Sequence, residues 1–140
     1  MIAIGCDHAA VEFKNLIIDY LKGMNCDVKD FGTYTSDSCN YPEYADKVCN
    51  AITSGECEKG ILICGTGIGM SIAANKHRGI RCAAVSEPLS AILSRQHNDT
   101  NVLALGARII GIETGKDIVK GWLNAEFEGG RHSQRIAMFE

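Results

Sequence analysis

Short apolar runs alternate with longer amphipathic ones along the whole chain, and few folds can absorb that pattern. Met1–Cys6 reads as a buried strand, Cys26–Phe31 as a second and Gly60–Cys64 as the most strand-like run; Ile80–Val85 and Asn101–Leu105 make a fourth and fifth. Helical stretches lie between them. Glu12–Lys22 places Phe13, Leu16, Ile17 and Leu21 at core spacing and closes at Gly23. After a polar loop, Gly32–Asn40, Pro42 sits where the first turn of a helix accepts it, and that helix carries Tyr44, Ala45, Val48 and Ile52 to Gly55. A short helix is predicted from Met70 to Asn75. Another follows a Ser86 cap, with Glu87 and Pro88 in its first turn, and a third covers Thr114–Leu123. Gly129-Gly130 sets off a final basic segment, Arg131–Phe139.

Repeated strand–helix alternation implies an α/β fold: a doubly wound parallel five-stranded sheet with helices on both faces. At 140 residues the chain predicts one domain, spanning 1–140 and large enough to bury a core. A net charge of −3 excludes a general nucleic-acid binder, which would be basic. The uncharged stretch from Gly60 to Asn75 is 16 residues long, short of the roughly 18 that a membrane span needs. The N-terminus lacks a basic region and reaches an acid at Asp7, so no signal peptide is read and a cytoplasmic protein is expected. Seven cysteines, an odd number without a CxxC pair, are expected to be free thiols.

Ligands of doubly wound sheets bind beyond the carboxyl ends of the strands. The residues predicted there are Asp7 and His8, Cys64 to Gly69, Ser86 and Glu87, and Gly106 to Arg108. Gly65-Thr66-Gly67-Ile68-Gly69 lets the backbone turn tightly and aim N–H groups at an anion or a developing oxyanion. No Gly-Lys-Ser/Thr follows, which excludes a P-loop, and Met70 stands where a dinucleotide fingerprint needs its third glycine. Cys64 adjoins the loop, where amide dipoles would stabilise its thiolate as a base or nucleophile. A role as the last buried residue of its strand stays open, and Cys6 competes for the chemistry. His8 and His97 are each either functional or merely polar loop residues. His77, between Lys76 and Arg78, reads as solvated. No HxxxH or CxxC pairing suggests a metal. Arg131 and Arg135, four apart on one helical face, and Arg108 near a strand end suit phosphate oxygens.

With these residues in view, the chain closely resembles the type B ribose-5-phosphate isomerases, in the wider family that includes galactose-6-phosphate isomerase subunits. The resemblance rests on Gly5-Cys6-Asp7-His8, Ile61 through Lys76, Ser86-Glu87-Pro88, Ser94 through Asn101 and Glu128-Gly129-Gly130-Arg131-His132, which follow one another over nearly the whole chain. It implies a Rossmann-like fold and the interconversion of ribose 5-phosphate and ribulose 5-phosphate through an enediolate, without metal or cofactor. By position, Cys64 resembles the base that moves the proton between C2 and C1, and His97 the acid/base that opens the furanose ring. Asp7 and Asn98 would contact the sugar. The N–H groups of Gly65, Gly67, Ile68 and Gly69 would hold the enediolate, with the Thr66 hydroxyl nearby. His8, Arg108, Arg131 and Arg135 would bind the phosphate. Other members carry an acidic residue in this loop; Met70 stands at its place here, leaving Cys64 as the only base the loop offers. The resemblance also implies homodimers or homotetramers whose sites are completed across the subunit interface. A six-carbon sugar phosphate such as allose or galactose 6-phosphate, and a nucleotide-binding regulatory module, are the competing readings.

Overall fold

A computed structural model describes residues 1–140. In chain order the elements are β1 (Ile2–Cys6), α1 (Val11–Gly23), β2 (Val28–Asp30), α2 (Tyr41–Thr53), β3 (Lys59–Cys64) and α3 (Ile68–Asn75). They continue with β4 (Cys82–Ala84), α4 (Pro88–Asn98), β5 (Val102–Gly106), α5 (Ile112–Asn124) and α6 (Arg131–Ala137). All strand pairs are parallel, and the order across the sheet is β2-β1-β3-β5-β4.

The central strands β1, β3 and β5 are almost wholly buried, as a parallel sheet covered on both faces requires. Their alternate side chains feed two cores. Ile4, Ile61, Ile63, Leu103 and Leu105 pack under α1, α4 and α5, with Ile17, Leu21, Ala91, Ile118 and Trp122. Ala3, Leu62, Cys64, Val102 and Ala104 pack under α2 and α3, with Val48, Cys49, Met70 and Ala74. The short α6 rests on α4.

Several boundaries differ from the sequence expectation, each for a local reason. The second strand starts at Val28, because the Cys26 N–H is taken by the Leu21 carbonyl in the turn that closes α1. The fourth starts at Cys82, because Ile80 belongs to a turn bonded to the His77 carbonyl. The third helix begins at Ile68 rather than Met70, directly after Gly67 in the left-handed region at φ 81°. Glu87, not Ser86, caps α4: its carboxylate accepts the Ser90 N–H at 3.0 Å, and Pro88 occupies the first helical position.

Candidate active site

The topology reverses between β1 and β3. From β1 the chain moves out to β2, then returns past β1 to β3 on the other side, so the loops leaving β1 and β3 diverge and open a crevice at the carboxyl edge. Asp7, buried at the end of β1, is held by its N–H on the Ile63 carbonyl at 3.1 Å, and its Oδ1 accepts the Ala9 N–H at 2.9 Å. His8 follows. Its Nδ1 accepts the Cys39 N–H at 3.3 Å, which leaves Nε2 as the protonated nitrogen of the neutral ring, free to donate outward.

Cys64 ends β3 at this carboxyl edge, 6% exposed, and lines none of the cavities of the single chain. Its Sγ accepts the Gly67 N–H at 3.1 Å. The left-handed conformation of Gly67 makes that bond possible, and a Cβ there would stand 3.0 Å from the Leu105 backbone. The Ile68 N–H is bonded at 3.2 Å to Thr66 Oγ1. Two of the loop amides assigned to the substrate by resemblance are therefore engaged within the loop. Those with no protein acceptor are Gly65, Thr66, Gly69 and Met70. Gly69 and Met70 open α3, and a helix N-terminus favours an anion. Arg108 lies beside it: a Cβ on Gly65 would stand 3.5 Å from its guanidinium-bearing side chain. The Tyr41 ring closes the other side so tightly that a Cβ on Gly69 would come within 2.8 Å of it. Sequence reading missed Tyr41, whose role at the start of α2 shows only in three dimensions.

Cys6 does not compete for the chemistry. It is fully buried, and that burial pushes its thiol up to about 12. Behind it the fully buried Lys14 ammonium donates to Asp30 Oδ1 at 2.8 Å and to the Thr33 carbonyl at 2.7 Å. The Cys6 N–H bonds in turn to the Gly32 carbonyl at 2.7 Å. Lys14 thus fixes the loop that flanks the end of β1. It too escaped sequence reading, since a helical lysine is ordinarily solvated.

The remaining predicted residues lie elsewhere. Helix α4 runs back against the strand direction, so its last turn, with His97 and Asn98, sits at the amino edge of the sheet. There the Asn101 N–H meets the Arg81 carbonyl just ahead of β4, and the Trp122 indole donates to Thr100 Oγ1 at 2.9 Å. His97 is therefore part of the helix rather than of the loop after it. Its ring stacks on that of His132 with centroids 4.5 Å apart, and Glu128 Oε1 lies 3.7 Å from His97 Nε2 and 3.6 Å from His132 Nε2. Burial foremost, then the neighbouring His97, lowers the His132 pKa below the usual histidine range. Arg131 and Arg135 are exposed on α6 at this same edge, without ion-pair partners. A cleft of about 460 Å³ here includes Asn98 and Arg81 but not Cys64. His77 is not free but bonded to Asp46 at 2.7 Å. The six residues of β3 separate the two edges by roughly 20 Å at a parallel-strand rise of about 3.3 Å. Within one chain the structure brings together Asp7, His8, Cys64, Thr66, the glycine loop and Arg108. It gathers His97, Asn98, Arg131 and Arg135 at the opposite end.

The family model described as Ribose/Galactose Isomerase matches residues 2–139. The chain belongs to that family. The ribose-5-phosphate isomerase B of Escherichia coli K12 is 55% identical over 96% of this chain and 91% of its own length. The structure of the Clostridium thermocellum ribose-5-phosphate isomerase B superposes with a TM-score of 0.97 at 50% identity, covering 98% of this chain and 93% of the other. That of Mycoplasma genitalium, with bound ribulose 5-phosphate, gives 0.94 at 39% identity over 98% and 91%. The chain is thus an isomerase with the Rossmann-like fold of its family, and none of its helices is long and apolar enough to cross a membrane.

Proposed function

We propose that this isomerase domain interconverts ribose 5-phosphate and ribulose 5-phosphate in a homodimer, each site being shared by the carboxyl edge of one chain and the amino edge of its partner. The observation that carries the reading is the division of the machinery: Cys64 and the free loop amides stand at one edge, His97 and the unpaired Arg131 and Arg135 at the other.

His97 of the partner subunit takes the proton of the anomeric hydroxyl and returns one to the ring oxygen, which opens the furanose to the aldehyde. The Cys64 thiolate then removes the proton from C2. Negative charge builds on the sugar oxygens, where the free N–H groups of Gly65, Thr66, Gly69 and Met70 stabilise it; one such donor contributes about 2.7–4 kcal/mol to a transition state. The proton on O2 passes to O1, the Cys64 thiol delivers its proton to C1, and the ketose forms with the thiolate regenerated. Asp7 and Asn98 hold the sugar hydroxyls. The Nε2–H of His8 and the guanidinium groups of Arg108, Arg131 and Arg135 hold the phosphate. The names of the relatives and the ribulose 5-phosphate bound in the Mycoplasma genitalium enzyme favour the pentose over a six-carbon substrate.

Subunit mixing tests the shared site. Cys64→Ala and His97→Asn are each expected to be inactive on ribose 5-phosphate, with metal chelated, when assayed alone. Exchanged at random, half of the dimers are mixed and one of their two sites is intact, so about a quarter of wild-type activity should return. Activity that stays at the level of the separate variants overturns the shared site.

A further inference from the structure

We propose that His97, Glu128 and His132 form a binding site for a divalent transition-metal ion, such as Zn²⁺ or Co²⁺, at the amino edge of the sheet. The ligand atoms of the three residues lie within 4.8 Å of one another. The separations of Glu128 Oε1 from the two Nε2 atoms, 3.7 and 3.6 Å, are too long for hydrogen bonds. They match another geometry. Two donors about 2.1 Å from one tetrahedral ion stand roughly 3.4 Å apart, so the two glutamate–histidine separations lie within tenths of an ångström of a bound arrangement, while the two histidines, within 4.8 Å, close by up to about 1.4 Å on binding. Two imidazoles and one carboxylate form a familiar three-ligand zinc set that leaves a fourth position open.

The local structure presets these donors. The Glu128 N–H is anchored on the Gln96 carbonyl at 3.0 Å, which pins the carboxylate to the last turn of α4. The His132 N–H bonds the Gly129 carbonyl at 3.2 Å across the Gly129-Gly130 turn, so His132 faces back onto His97. His132 is nearly buried while His97 and Glu128 are part-exposed, leaving an open path for an ion. Binding unstacks the rings, now 13° from parallel, because each Nε2 lone pair lies in its own ring plane and the two must converge on one ion; the exposed side of His97 gives room for that rotation. Sequence spacing concealed the set, because His97 joins the Glu128–His132 pair only through the fold.

The site has a consequence that rests on the role of His97 given above. An ion on Nε2 removes the lone pair with which His97 moves protons, so metal inhibits ring opening. Open-chain substrate bypasses that step and is spared.

Titration of chelator-stripped protein with Co²⁺ tests the site apart from catalysis. One ion per chain with visible ligand-field bands and no thiolate charge-transfer band is expected, distinguishing these ligands from the cysteines. Glu128→Gln should weaken binding by more than the 10- to 100-fold typical of losing an outer-shell partner, and His132→Asn should abolish it. Glu128 is half exposed, so its variant keeps the test valid if His132→Asn fails to fold. Absent ligand-field bands, thiolate ligation, or undiminished affinity in the well-folded Glu128→Gln protein overturns the site. Zn²⁺ inhibition of the wild type, reversed by chelator and confined to the cyclic substrate, supports both claims. Binding without inhibition keeps the site and overturns the assignment of ring opening to His97.

Discussion

The Gly67 N–H donates to Cys64 Sγ across 3.1 Å, tying the sulfur to the loop that holds the free amides. The bond fixes the direction of the sulfur with respect to those amides. Cys64→Ala should lower kcat by at least the 10²- to 10⁴-fold that a positioned base contributes, while sugar phosphate still raises the melting temperature. Substantial turnover by the alanine protein removes the sulfur from the mechanism.

Gly67→Ala tests the backbone instead. The substitution forces an alanine to φ 81° with its Cβ 3.0 Å from Leu105, and the left-handed conformation alone costs about 1–2 kcal/mol. A displacement near 1 Å costs about 10²-fold in rate. Thermal melts and steady-state kinetics on one preparation should therefore show a modest stability loss beside a large loss of kcat. Unchanged kcat would separate the loop conformation from catalysis.

His97→Asn should impair the cyclic substrate far more than one presented already open, because only the former needs a proton moved to the ring oxygen. Rapid-mixing assays with the two substrate forms read this directly. Equal losses on both would count against a role in ring opening.

Lys14 and Asp30 form the pair on which the β1 edge depends. The ammonium is fully buried and Asp30 is 30% exposed, so the two partners are not equivalent. Asp30→Ala strands a buried charge and should cost about 3–5 kcal/mol in urea denaturation. Lys14→Met leaves a carboxylate that water can reach, so its cost should be smaller. The reverse order would show that the ammonium is satisfied by the Thr33 carbonyl alone.

Cys6 and Cys49 set an alkaline limit. Burial raises both thiols from the ordinary 9.0 to about 12. Between those values the folded chain holds protons that the unfolded chain has released, so stability falls as pH rises, by up to about 1.4 kcal/mol per pH unit for each thiol. Below the ordinary thiol value their contribution is flat. Urea melts across this range should show a shallower decline for the Cys6→Ala/Cys49→Ala double variant than for wild type. Parallel declines would place the alkaline loss on other groups.

The sheet was legible because buried parallel strands leave unbroken apolar runs, as in Gly60–Cys64, and amphipathic helices such as α1 leave a 3.6-residue stripe. Strand order was not, because the sequence of β4 and β5 does not reveal that β5 inserts beside β3. The glycine loop and its place between β3 and α3 were legible in composition, but which amides are free depends on φ at Gly67 and on the Thr66 hydroxyl, and neither is encoded in spacing. The separation of His97 from Cys64 left a readable trace: His97 closes a helix and precedes a strand, so it belongs at the amino edge. Lys14 and Tyr41 left none, because their roles arise from packing between segments distant in sequence.

The roughly 20 Å between the two halves of the machinery also governs how copies of the chain can meet. Two subunits lying side by side with their sheets in opposite directions offer each edge to its complement and close in a single step, with nothing left over. Stacked end to end, the same surfaces would pair just as well and always leave one free at each tip, growing a filament. If the site is shared as proposed, the angle at which two copies meet matters as much as the contacts between them.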